Sequence, residues 1–236
     1  MSSPLASPWT GWWLVLADAL LVVGKDLRVE LHSRVALNQV APFALTVIVL
    51  FGFALGPDRA KLQAAAAGLF WIAVLLSSVL AVQRSFAIES NESAKDGLRL
   101  SGLDPAGVFF GKAAAVAVEL AALELLLAGG VAVVFGARLS GFVVLVASCV
   151  LATIGLAAVG TLYGVAATGS RSRETLMPLL FLPVVSPVLL AATKAWQAGL
   201  AGRAGDSGTW LGLLAVFAVV YTAVGAVAFD PLLEDA

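Results

Sequence analysis

The chain has 236 residues, of which 61% are hydrophobic and only 12% charged, with a mean hydropathy of +1.00. A soluble domain carries roughly 25% charged residues, so this composition excludes a water-soluble fold and points to an integral membrane protein. The formal net charge of −1 builds no basic surface, which excludes a nucleic-acid partner.

The first segment, Trp9 to Val23, is apolar but interrupted by Asp18. Its continuation holds Lys25, Asp26, Arg28, Glu30, His32 and Arg34. Trp12 to Leu37 is therefore expected to form a helix in the membrane interface, with Trp9, Trp12 and Trp13 at headgroup depth. A seventh span is the rival reading of this segment. No Lys or Arg precedes Lys25, so a cleavable signal is not expected here. A short apolar run without charge follows at about 40–56.

Five longer runs complete the pattern, at about 62–83, 113–135, 142–168, 176–200 and 210–229. A span needs about 20 apolar residues, and lipid satisfies no backbone hydrogen bond, so each run must be a helix or part of a closed barrel. Continuous rather than alternating hydrophobicity excludes the barrel. The expected fold is all-α: one domain over residues 1–236, with six transmembrane helices, an N-terminal interfacial helix and both termini cytoplasmic. The orientation follows from Lys and Arg, nine of the fourteen falling on the side shared with the N-terminus.

The longest connection, 84–112, lies on that inner side. It carries Arg84, Glu89, Glu92, Lys95, Asp96, Gly97, Leu98 and Arg99, with a left-handed cap expected near Ser101 and Gly102. Asp104 followed by Pro105 is a helix start, an N-cap acceptor and then proline in the first turn. A helical lead-in through Val108, Phe109 and Phe110 should precede the third span. A charged helical loop of this kind suits docking of a soluble partner, and a solvated connector is the alternative. Gly107 to Lys112 looks like a phosphate loop, but the spacing is one residue short and Ala113 lacks the magnesium-binding hydroxyl. ATP hydrolysis by this chain is not expected.

Glu119 and Glu124 fall inside the third span. They sit roughly 10 and 18 Å beyond Lys112 and about 140° apart around the helix, so they do not form one paired site. Either could serve transport or conformational change, or be a hydrogen-bonded carboxyl in a helix interface. Gly160 and Gly164 in the fourth span permit close helix packing. Pro178, Pro183 and Pro187 in the fifth remove backbone donors and favour kinks, which suits either a cavity or hinge or a static shape. One His and one Cys support no metal site, and Cys149 reads as a small buried residue.

Several stretches in order resemble one family: Lys25 to Glu30, Phe53 to Pro57, Phe70 to Ala81, Arg84 to Phe86, the Glu89 to Lys112 loop, and Leu180 to Pro187. Together they resemble the haem exporter B (CcmB) family, and the likeness covers nearly the whole chain. The resemblance implies a permease subunit of ABC-2 type for cytochrome c maturation in the bacterial inner membrane. It implies a separate CcmA-like ATPase that binds ATP and magnesium, CcmC-like and CcmD-like membrane partners, and two copies of this chain. Glu89, Asp96, Gly97, Leu98, Gly111 and Lys112 would face the ATPase. Gln83, where an acid is frequent, and Asp104, where an apolar residue is common, depart from the family pattern. The sequence shows no haem ligand set, so haem enters only as an expected cargo, with ATP-driven release of a haem-loaded chaperone as a variant role. A membrane scaffold or assembly factor, or a permease for another cargo, is the alternative.

Overall fold

The computed structural model describes residues 8–33, 36–87, 102–137, 139–167 and 173–235. Among the described residues the fold is all-α. Helix α1 spans Pro8–Ser33, α2 Ala41–Ala54, α3 Arg59–Ala87, α4 Pro105–Phe135, α5 Phe142–Ala166, α6 Arg173–Leu200 and α7 Gly208–Asp235. A short wide-turned helix, Ala36–Val40, leads into α2, and a tight one, Ala204–Ser207, leads into α7.

Among the described residues five segments are long and apolar enough to cross a membrane: Arg59–Phe86, Pro105–Phe135, Phe142–Ala166, Met177–Leu200 and Ala204–Leu232. The expected first span is a shorter apolar helix, Asn38–Ala54. At about 1.5 Å per residue, α2 itself covers roughly 21 Å, against about 30 Å for the hydrocarbon core. Leu55 to Asp58, with Gly56 at φ 71°, turn α2 back into α3. The Asp58 carboxylate caps α3 by accepting from the amides of Ala60 and Lys61.

Between helices in lipid, water expulsion contributes little, so association depends on close van der Waals fit and small residues. The glycines show this directly. A Cβ on Gly160 or Gly164 of α5 would strike Val82 or Phe86 of α3, which is the packing use expected for this pair. Gly155 of α5 meets Phe217 of α7, Gly52 of α2 meets Val134 of α4, and Gly225 of α7 receives the Phe109 ring. Gly141 and Gly199 bring the α5 start against the α6 end, where the Gly141 amide donates to the Gly199 carbonyl at 3.1 Å. At the centre, Phe70 stacks on Trp196 with ring centroids 3.8 Å apart, and Trp71 closes the cluster edge-on. The buried Ser77 and Ser148 hydroxyls donate along their own helices, to the Ala73 and Leu145 carbonyls.

Several boundaries differ from expectation. The first helix begins at Pro8 and ends at Ser33 rather than running from 12 to 37. The third span and its lead-in form one helix of 31 residues, about 46 Å long. Helix α6 runs unbroken through Pro178, Pro183 and Pro187, so the prolines do not divide it. Neighbouring helices and side-chain hydroxyls support prolines in membrane helices, and here the Ser186 hydroxyl donates to the Leu182 carbonyl at 2.7 Å. Cys149 is half-buried rather than buried.

Candidate functional site

Two polar constellations interrupt the apolar bundle. The larger lies at the end where α3 finishes and α4 begins, and it is built by α1. The residues of α1 turned toward the bundle are Val15, Asp18, Ala19, Val22, Val23, Asp26, Leu27 and Glu30, a stripe at helical spacing. Trp12, Trp13, Leu16, Leu20 and Leu21 face outward and are exposed. The helix is thus inverted relative to a water-soluble amphipathic helix. Three carboxylates point in and the large apolar side chains point out.

Glycine brings α1 close to α4. A Cβ on Gly107 would lie 2.8 Å from Asp18 Cβ, and one on Gly111 would lie 2.5 Å from Val22 Cβ and 2.8 Å from the Ala19 carbonyl oxygen. These contacts climb in step, so the two helices run in the same direction. The spacing that looks like a phosphate loop is therefore a small-residue seam between helices.

Each inward carboxylate has a partner along this seam. Asp18 accepts from the Asp104 amide at 2.9 Å, while the Asp104 carboxylate caps α4 by accepting from Ala106 and Gly107. Asp26 receives the Lys112 ammonium at 3.4 Å and Lys25 at 3.1 Å. Lys112 is 1% exposed, and its ammonium also sits 4.9 Å above the Phe86 ring. Glu30 faces Arg84 of α3 at 3.6 Å. Glu119 lies within electrostatic range of both Glu30 and Arg84.

The expected loop residues therefore divide. Arg84, Asp104, Pro105, Gly111 and Lys112 converge on the α1–α3–α4 junction, and Glu119 joins them. Glu89, Glu92, Asp96, Gly97 and Leu98 lie outside the described residues. Asp18, Asp26 and Glu30 complete the junction and were not singled out from the sequence. Their spacing of eight and four positions was the available signal, since it places all three on one helix face.

Glu124 belongs to the second constellation. It is 5% exposed and accepts a 2.6 Å hydrogen bond from the Thr153 hydroxyl of α5. Around it, α4, α5 and Trp196 line a cleft of about 530 Å³ whose walls include Val118, Leu125, Leu145 and Ile154. Glu119 and Glu124 thus serve different neighbourhoods, as their angular separation predicts. Pro178, Pro183 and Pro187 line neither constellation. Among the described residues no group of His, Cys, Asp and Glu could hold a metal ion.

Comparison with known families finds the CcmB protein model matching residues 17–234, from the middle of α1 to the end of α7. This chain belongs to the CcmB family. The family is one of transporter membrane subunits, and it places the chain in the bacterial inner membrane as a multi-pass protein. The chain is 30% identical over 193 residues to heme exporter protein B of Paracoccus denitrificans, covering 78% of this chain and 84% of that one. It is 28% identical over 213 residues to heme exporter protein B of Haemophilus influenzae, covering 90% and 93%. The protein of the same name from Pseudomonas aeruginosa is 27% identical over 203 residues, covering 86% and 91%.

Proposed function

We propose that this CcmB-family chain is the membrane permease subunit of a haem-export ABC system serving cytochrome c maturation. Its expected companions are a CcmA-like ATPase, CcmC-like and CcmD-like membrane proteins, and a second copy of itself. ATP and magnesium belong to the ATPase, and haem, or a haem-loaded chaperone to be released, belongs to the cargo. In this reading the loop 84–112 is cytoplasmic, both termini lie on its side, six helices cross the membrane, and α1 packs alongside the cytoplasmic end of α4.

One observation carries the coupling role. The segment that leaves α3 at Arg84 and enters α4 at Asp104 is clamped at both ends by a single helix, α1: through Glu30 at the first and Asp18 at the second. Force delivered to the intervening residues by an ATPase therefore reaches α3, α4 and α1 together. The buried Lys112–Asp26 pair resists sliding between α1 and α4, because separating it leaves a charge without its partner in an apolar setting.

The test is affinity purification of the tagged chain from bacterial membranes, followed by ATPase assay and pigment analysis. A co-purifying ATPase whose turnover falls on Asp96→Ala or Gly97→Val substitution is the expected result. A chain that supports cytochrome c maturation alongside a hydrolysis-dead ATPase would instead make it a scaffold.

A further inference from the structure

A second recess lies at the opposite end of the bundle from the loop, where α3 begins and α4 and α6 finish. It has a volume of about 700 Å³ and is lined by Arg59, Gln63 and Ala64 of α3, Gly136 and Ala137, and Gln197, Leu200, Ala201 and Arg203. Its volume is within the roughly 300–1,000 Å³ typical of small-molecule sites.

The charged side chains lining this recess are both cationic, Arg59 and Arg203. Several of the helix-end carbonyls beside it are already engaged. The Gly136 carbonyl accepts from Gln63 Nε2 at 3.2 Å. The Gln197, Ala198 and Gly199 carbonyls accept from the amides of Ala201, Arg203 and Gly202, and Gly199 accepts from Gly141 as well. Two guanidinium groups, Arg59 and Arg203, therefore line the recess beside the neutral Gln63 and Gln197. Among the described residues no carboxylate lines it, and none pairs with Arg59. Among the described residues Arg203 is held by Asp206, at 3.6 Å with both side chains largely exposed, a contact worth little and readily exchanged for a better acceptor.

The position sets the ligand's character. Arg59 opens one apolar span, and Arg203 follows the end of another, so both lie where hydrocarbon gives way to headgroups. We propose that this recess binds the oxyanion of an amphiphile whose apolar body lies against the bundle. Two sources share that chemistry, the phosphate of an anionic phospholipid and the carboxylates of a porphyrin cargo. The second rests on the export reading and the first does not. Arginine suits either, because its planar fork bonds both oxygens of one group.

The experiment uses the full chain with its co-purifying subunits in nanodiscs, comparing wild type with the Arg59→Gln/Arg203→Gln double variant. Retention of phosphatidylglycerol over phosphatidylcholine is read by native mass spectrometry. Binding of mesoporphyrin and of its dimethyl ester is read by quenching of tryptophan fluorescence. Wild type is expected to hold one acidic probe at least about tenfold more tightly than the double variant, the weight of one charge-assisted contact. The diester should bind both proteins alike, and Arg59→Lys should fall between them. Equal affinity of wild type and double variant for both acidic probes overturns the site. The amount of ATPase recovered reads the permease assignment separately, since neither arginine lies near the loop.

Discussion

The Lys112–Asp26 pair offers a test of the junction that depends on which partner is removed. At 3.4 Å and an effective dielectric near 20, the two charges attract by about 5 kcal/mol before desolvation is subtracted. The partners are unequal. Lys112 is 1% exposed, whereas Asp26 is 17% exposed and has Lys25 as a second cation at 3.1 Å. Asp26→Asn takes the carboxylate from a buried ammonium that keeps its other contacts, so the cost falls below the roughly 3–5 kcal/mol of breaking an isolated buried pair. The Phe86 ring, 4.9 Å away, is one such retained contact, on the order of 1–2 kcal/mol. A net destabilisation of about 2–3 kcal/mol is expected. Lys112→Met keeps the aliphatic stem and leaves Asp26 with water and Lys25, so about 1 kcal/mol is expected. The double substitution should be less harmful than Asp26→Asn alone. The assay is reversible unfolding in mixed micelles with added dodecyl sulfate, followed by circular dichroism. Equal effects of the two single substitutions, or simple additivity in the double, would refute the reasoning.

Gly111→Val should push α1 from α4, since even its Cβ meets Val22 at 2.5 Å, with an overpacking cost of about 1–3 kcal/mol. Proteolysis of the α1 region should then accelerate while α3 to α7 stay protected. Thr153→Val removes the donor to Glu124 and should cost about 1 kcal/mol in the same unfolding assay, whereas Glu124→Gln, which keeps an oxygen acceptor, should cost less. If Glu124→Gln nonetheless abolishes cytochrome c maturation with assembly intact, the carboxyl has a working role beyond packing. Phe70→Ala empties the space between Trp71 and Trp196 and should cost about 3–5 kcal/mol, with a shift in tryptophan emission. An unchanged emission spectrum would count against this stacked cluster.

The parts of this fold legible in the sequence were those set by local chemistry. Long apolar runs must be helices in lipid, and Asp104 with Pro105 must start one. Gly160 and Gly164, four apart, must present a flat face. The parts that were not legible depend on partners far along the chain. Asp18, Asp26 and Glu30 read as ordinary charges of an interfacial helix, because the amide and cations that hold them come from α3 and α4. Gly107 and Gly111 could be denied a phosphate on spacing alone, but their actual neighbour is α1. Thr153 looked like any hydroxyl in an apolar run until α5 packed against Glu124. The prolines of α6 lie inside one continuous helix, because neighbouring helices in a bundle can support the backbone groups that proline frees.

The inward carboxylates of α1 also have a consequence for biogenesis. Asp26 and Lys112 are 86 residues apart in the chain, as are Asp18 and the amide of Asp104. At about 5–20 residues per second, roughly 4–17 seconds of synthesis separate the emergence of each acid from that of its partner. During that interval the α1 acids lack the α4 partners that hold them in the finished fold. Docking of α1 becomes possible only when α4 emerges from the ribosome. The first helix made is thus among the last able to reach its final place.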